Sequence, residues 1–272
     1  MTTTLRPAEP LQQHPDGTRS RRYEVCVNGR PVGEIRLATV IGTIVARITD
    51  LRVEEPDRRR GRATVAALAA EEVARGWGCH RIDTVVPAGD ARALRLARTL
   101  GYAPSARAMR KRLGDVPPEL PEGTRGRPMT EAEFEDWLVR GRETYACTLT
   151  ALGLSEEEAR TQSLHDHETR LGQGLATEGT RFSVLEHEGT PVGTIWVGRA
   201  DDAPWVYDVG TDEAHRGRGH GRSLMLLAEA QTIADGERTL ALNVRAGNTP
   251  AERLYASLGY ETTRHVLAKP LL

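Results

Sequence analysis

The chain repeats itself. Sliding the 272-residue sequence by 158 positions lays Asp50–Tyr102 on Asp208–Tyr260, 53 residues without a gap. "DLRVEEPDRRRGRATVAAL" falls on "DVGTDEAHRGRGHGRSLML", and "ARALRLARTLGY" on "TPAERLYASLGY". Upstream, "RYEVCVNGRPVGEIRL" meets "RFSVLEHEGTPVGTIWV" after a single-residue shift. Chance likeness between Arg/Ala-rich helices does not give an ungapped match of that length. A long internal repeat constrains architecture more than any local propensity. Two α/β units of one plan are encoded in tandem, and the length accommodates both.

The second copy carries the clearer pattern. "EGTRGRPMT" reads as a short strand ending at Thr130, whose hydroxyl caps the helix opening "EAEFEDWLVRGRETYACTL". A second helix runs from Ser155 to about Leu171; it opens "SEEEA", a capping start with acids in the first turn. "RFSVLEHEGTPVGTIWVGR" alternates about a Glu188-Gly189 turn and predicts a hairpin. "WVYDVGT" is a strand that feeds a glycine loop, followed by a helix over Gly219–Ala234, a strand "RTLALNV", a short helix with Gly259 as its C-cap, and a last strand near Glu261–Ala268. In the first copy only about a dozen residues separate "LRPAEP" from "RRYEVCV", so the two helices ahead of the hairpin have no room. "GDVPPELPEGTRG" is rich in Pro and Gly and reads as the connection. The expected organisation is a truncated domain over residues 1–115, a linker over 116–126 and a complete domain over 127–272.

Several function classes are excluded or demoted. No run of 18 apolar residues is present, and the N-terminal stretch lacks the basic-then-apolar pattern of a secretory signal. Cys26, Cys79 and Cys147 share no metal-ligand spacing and read as incidental thiols, so a reducing, cytoplasmic setting without a metal is expected. Residues 1–115 hold 21 Arg+Lys against 13 Asp+Glu, and the remainder 16 against 25. That basic half raises nucleic-acid binding as an alternative, but its arginines are scattered among acids and lack an aromatic stacking platform. Lysine occurs only at Lys111 and Lys269, an imbalance that fits composition bias.

The chemistry centres on "HRGRGHGRSLM". Arg216, Gly217, Arg218, Gly219, His220 and Gly221 sit where a strand ends and a helix begins. Exposed amides and the helix dipole favour an anion there. Glycines let successive amides curl into a nest, and Arg216, Arg218 and Arg222 add charge-assisted bonds. The spacing is GxGxG: neither a GxxxxGK[ST] phosphate loop nor a dinucleotide fingerprint.

Together, "VYDVGTDEAHRGRGHGRSLM" and "LNVRAGNTPAERLYASLGY" resemble the GNAT superfamily of acetyl-CoA-dependent N-acetyltransferases. The family's [QR]xxGx[GA] loop is matched by Arg216, Gly219 and Gly221. Its downstream N…A..LY..LGF element is matched by Asn248, Ala251, Leu254, Tyr255, Leu258, Gly259 and, with Tyr for Phe, Tyr260. The resemblance covers Arg127–Leu272 well and the first copy weakly. It implies two tandem α/β (α+β) domains, each a mixed, mostly antiparallel twisted sheet flanked by helices, with splayed parallel strands at the cofactor site.

The resemblance also implies roles. Acetyl-CoA is the cosubstrate, its pantetheine pairing with the backbone of Val209, Gly210 and Thr211 and its diphosphate resting on Arg216 through Ser223. The Val209 amide would face the developing oxyanion. Tyr255 matches the general acid, a phenol of pKa about 10 serving a thiolate of pKa about 8.5. Asn248 matches the cofactor-positioning asparagine. Asp208 is the leading candidate for the base, although strand alternation leaves its direction open and Tyr207 stands where relatives often carry glutamate. Glu186 and His187 are weaker base candidates and read rather as solvated hairpin residues.

In the first copy Asn248 becomes Asp90 and Tyr255 becomes Ala97, while the loop survives as Arg58-Arg59-Arg60-Gly61-Arg62-Ala63. That copy reads as catalytically dead; whether it still binds CoA is left open. Residues 130–180 hold 11 acids against 4 arginines, which points to a cationic primary amine or a peptide N-terminus as acceptor, unless those acids are ordinary solvated helix faces. A non-catalytic CoA-binding scaffold is the competing function. The oligomeric state, a homodimer included, is left open.

Overall fold

The computed structural model describes residues 2–40, 42–200 and 203–271; the outer limits of the expected domains, Met1 and Leu272, fall outside them. In chain order the first copy forms β1 (Thr3–Pro7), β2 (Gln12–Gln13), β3 (Arg19–Val27), β4 (Arg30–Thr39), β5 (Val45–Val53), α1 (Arg62–Gly76), β6 (Arg81–Pro87), α2 (Ala91–Thr99) and β7 (Ala103–Arg112). The second forms β8 (Thr124–Pro128), α3 (Glu131–Ala151), α4 (Glu156–Arg170), β9 (Arg181–His187), β10 (Thr190–Ala200), β11 (Ala203–Thr211), α5 (His220–Ala234), β12 (Thr239–Arg245), α6 (Thr249–Ser257) and β13 (Glu261–Pro270). The expected order of elements is observed. The connection lies at 113–123 rather than 116–126, because β7 ends at Arg112 and Thr124–Gly126 already belong to β8.

The two compact units are not the two halves of the sequence. Unit 1 comprises Met1–Ser105, Tyr145–Ser163 and Arg264–Leu272; unit 2 comprises Ala106–Thr144 and Leu164–Thr263. Both units differ from the expected limits of 1–115 and 127–272. The cause is an exchange of last strands, which no local pattern in the sequence reveals.

In unit 1 the strand order is β1-β3-β4-β5-β6-β13, with β2 against β3. The parallel pair β5–β6 is followed by β13, antiparallel to β6 from Arg264↔Pro87 to Pro270↔Arg81. The core packs Val25, Ile35, Leu37 and Ile82 under the alanine face of α1 (Ala66, Ala67, Ala70, Ala74), and Leu267 of β13 joins it at 1% exposure. The ends of α3 and α4 that meet at their turn also belong here. Ala146, Leu149 and Ala159 form a small apolar cluster, so this unit receives a helical cover although its own copy encodes none ahead of the hairpin.

Unit 2 has the order β7-β12-β11-β10-β9-β8. Its parallel pair is β11–β12, and β7 completes it antiparallel to β12, from Thr239↔Arg112 to Arg245↔Ala106. One face of the sheet buries Leu224, Met225 and Ala228 of α5 against Ile195, Val206, Leu240 and Leu242, with Met109 of β7 in the same cluster. The other face carries an aromatic layer of Phe134 and Trp137 from α3, Phe182 from β9 and Trp196 from β10. The caps form as expected. Thr130 and Glu133 exchange bonds at the start of α3, and Ser155 and Glu158 do so at the start of α4.

The exchange repeats one buried ion pair in each unit. Lys269 on β13 meets Glu71 of α1 at 2.7 Å in unit 1, and Lys111 on β7 meets Glu229 of α5 at 2.7 Å in unit 2. Each glutamate side chain is only 3% exposed. Tyr102 and Tyr260 lie under the respective ammonium groups, both at 5.8 Å from the ring centroid. The only two lysines of the chain therefore have one structural role, and composition bias does not account for them.

Candidate active site

Strand β11 breaks its alternation at one residue. Asp208 pairs with Trp196 and Val206 with Val197, so Tyr207 is an extra residue, a β-bulge. The bulge settles the direction that the sequence left open. Val206 faces the core under α5, while Tyr207 and Asp208 both turn toward the aromatic layer. Tyr207 stacks on Trp196 with ring centroids 4.6 Å apart, and Asp208 Oδ2 accepts a 2.9 Å bond from Trp137 Nε1. Val209 then returns to the α5 side. Beyond the bulge the sheet opens: parallel pairing of β11 with β12 is limited to Trp205↔Ala241 and Val206↔Leu242, although the strands run on to Thr211 and Arg245. The wedge so formed is bordered by the exposed edge of Val209, Gly210 and Thr211.

At the far end of β11 lies the glycine loop. Gly217 and Gly219 sit at φ 77° and 87°, left-handed backbone that only glycine adopts at low cost. Among the described residues the amides of 217 to 221 have no hydrogen-bond partner, whereas Arg222 and Ser223 already donate to the Gly219 carbonyl. Five consecutive open amides at the N-terminus of a 15-residue helix make an anion nest. Arg216 and Arg218 are exposed beside it, and Arg222 donates to Ser257 of α6. A Cβ at Gly221 would stand 3.4 Å from Leu254, in ordinary contact. Two side chains of the loop region turn inward. Ser223 is 4% exposed inside α5. His220 is 6% exposed, its ring 5.2 Å from that of His187; burial, then the nearby His187, His215 and Arg218, lower its pKa.

Tyr255, on α6, is 6% exposed and packs in the same core cluster as Val209. Burial first, and then the Asp208 charge, raise its pKa, so the phenol stays protonated through neutral pH. Asn248 is the N-cap of α6, its Oδ1 accepting from the Ala251 amide at 3.3 Å. Structure thus gives it the task of starting the helix that carries Tyr255.

The weaker base candidates have partners of their own. Glu186 is 6% exposed rather than solvated, and accepts from Arg125 Nε at 2.6 Å and Arg127 Nε at 2.7 Å. These bonds, Arg127 first, hold its carboxyl below the usual range. His187 pairs with Thr124. Several acids counted between 130 and 180 are also committed: Glu133 and Glu158 close helix caps, and Glu156 pairs with Arg160. The acid-rich start of α4 belongs to unit 1. Trp137 is the residue that sequence reasoning missed. Its only signal was the i, i+3 spacing from Phe134, which reads equally well as core.

Unit 1 keeps the frame without the phenol. Thr49 bulges opposite Arg36 and Leu37, and β5–β6 pairing ends at Ile48↔Thr84. A cleft of about 660 Å³ follows, lined by residues that include Arg52, Arg58 and Ala97. Arg59 and Gly61 reproduce the loop backbone at φ 59° and 72°. Asp90 caps α2 as Asn248 caps α6. No phenol stands at position 97.

The sequence profile of the Acetyltransferase (GNAT) family matches residues 3–102 and again 134–260, and the chain belongs to that family. It is similar to a mycothiol acetyltransferase of Mycobacterium marinum, 30% identical over 262 residues, covering 88% of this chain and 79% of that one. An uncharacterized N-acetyltransferase, YycN of Bacillus subtilis, is 29% identical over 150 residues, 53% of this chain and 96% of its own. Among solved structures, a GCN5-related N-acetyltransferase from Sphaerobacter thermophilus superposes with a TM-score of 0.63 at 20% identity, covering 92% of this chain and 80% of that one. A tandem GNAT protein from the clavulanic acid biosynthesis pathway gives 0.51 at 23% identity, covering 96% and 85%. These two share the fold. The family makes the chain an acyltransferase and normally uses acetyl-CoA. No helix among the described residues is long and apolar enough to cross a membrane.

Proposed function

We propose that the chain is an acetyl-CoA-dependent N-acetyltransferase acting on a primary amine, with all its chemistry in unit 2. The carrying observation is the row of open amides at residues 217–221, set at the end of a strand that has parted from its neighbour. Diphosphate rests on that row, helped by Arg216 and Arg218. The exposed edge of Val209, Gly210 and Thr211 pairs with the pantetheine amides, and the Val209 N–H faces the thioester oxygen.

Asp208 takes a proton from the acceptor ammonium. The freed amine attacks the thioester carbon, and the tetrahedral adduct collapses with cleavage of the C–S bond. Tyr255 gives its proton to the leaving thiolate, and the amide nitrogen sheds its second proton. An ammonium and a thioester become an amide, a thiol and one released proton, and the residues return to their starting states by exchange with solvent. The acceptor is a small amine or a peptide N-terminus. Charge alone does not choose between them, since several of the nearby acids serve as caps and pair partners.

The test is thiol release from acetyl-CoA across a panel: spermidine, an aminoglycoside, a tripeptide with a free N-terminus, and the acceptor of the mycothiol acetyltransferases. Release with any of them supports the reading. Thermal stabilisation by CoA without release from any amine would favour the non-catalytic binding protein instead.

A further inference from the structure

We propose that Trp137 is the positioning residue for Asp208: its indole N–H holds one carboxylate oxygen so that the other is presented to the acceptor amine. The inference rests on the assignment of Asp208 as base. Asp208 is exposed, and a short carboxylate on a bulge has rotamers to lose. Among the described residues only Trp137 donates to it, at 2.9 Å. The donor itself is immobile. Trp137 is 5% exposed and contacts Phe134 at 5.8 Å (25° between planes), Phe182 at 5.0 Å (64°) and Trp196 at 5.5 Å (80°). Three rings fix the plane of the indole, and the plane fixes the direction of its one N–H.

The chemistry suits the task. Indole donates only and does not titrate, so it cannot compete for the proton that Asp208 must accept. Packing alone does not demand this bond. The adjacent Trp196 buries its own Nε1 with no partner among the described residues, so the same aromatic layer tolerates an unpaired indole N–H. The pairing at Trp137 is therefore directed at Asp208.

The experiment replaces Trp137 with 3-benzothienylalanine, which keeps the bicyclic shape and puts sulfur where the N–H was; Trp137→Phe is the encoded companion. Kinetics are read on the panel amine with the highest kcat/KM. The expected result is a loss in kcat of about tenfold with KM for acetyl-CoA held within about twofold. A folded analogue protein with kcat within about twofold of wild type overturns the proposal. A readout without turnover accompanies it. Of the four indole signals in a ¹⁵N spectrum, that of Trp137 should shift in Asp208→Asn, and a stationary signal also overturns the proposal. If Asp208→Asn itself keeps the wild-type rate, it is the base assignment that fails, whatever Trp137 does.

Discussion

Replacing Lys269 by methionine should destabilise unit 1, although Lys269 stands three residues from the end of the chain and in the second sequence copy. Its Nζ lies 2.7 Å from Glu71 Oε2, and the Glu71 side chain is 3% exposed. The other carboxylate oxygen of Glu71 is buried without a partner. Losing the ammonium leaves a charge in the interior with nothing to balance it, a cost of about 3–5 kcal/mol for a broken buried pair. Lys269 is itself 22% exposed, so water entry relieves part of that cost and the lower end, about 3 kcal/mol, is the expectation. Glu71→Gln in the same chain should restore much of the loss, because the amide needs no counter-ion. The assay is amide hydrogen exchange, read at α1 for unit 1 and at α5 for unit 2. Lys269→Met should speed exchange in α1 first, and Lys111→Met in α5 first. The sequence halves imply the reverse assignment. If Lys269→Met loosened α5 while leaving α1 within about 1 kcal/mol of wild type, the strand exchange argued here would be refuted.

Other outcomes follow from the site and its caps. Tyr255→Phe should leave acetyl-CoA affinity nearly unchanged, because the ring still fills its place in the core, while kcat falls about 10²–10⁴-fold if thiolate departure limits the rate. A variant within about threefold of wild type by steady-state kinetics would leave Tyr255 as packing. Gly219→Glu puts a side chain and a negative charge into a left-handed position of the nest, so the thermal shift caused by CoA should vanish; a preserved shift would move the diphosphate elsewhere. Glu133 is held at a pKa of about 2, chiefly by its bonds to Arg127. A lowered folded-state pKa gives stability that is present above the unfolded carboxylate range and is lost as pH falls toward 2. Glu133→Gln should therefore cost about 1–2 kcal/mol at pH 7 in denaturant titration, and the difference should narrow steadily below about pH 4.

The elements of this fold were legible because they depend on neighbours in sequence. The Thr130 and Ser155 caps, the Glu188-Gly189 turn and the glycine loop ahead of α5 are each set within four to six residues, and each forms where the pattern places it. The strand exchange was not legible. β7 and β13 have equivalent patterns, and their lysines would meet a glutamate in either arrangement, so local chemistry cannot say which sheet each joins. The site divides in the same way. The loop, Asn248 and Tyr255 lie in contiguous motifs. The aim of Asp208 depends on an extra residue at Tyr207, and whether a strand bulges is decided by the partner strand β10. Glu186 was misread as solvated for a related reason: the two arginines that bury its charge come from β8, some sixty positions upstream.

The exchanged strands also bear on what mutation can do to this gene. A copy with alanine where the other has Tyr255 would ordinarily be free to disappear. Here its final strand completes the sheet that carries the wedge, and the final strand of the second copy closes the sheet of unit 1. Neither half can be trimmed without opening the other. Residues such as Ala97 and Asp90 can drift in such a duplicate while its strand is retained. A cut at the Pro-rich connection would take the last strand from both sheets at once, so neither copy's sheet is complete on its own.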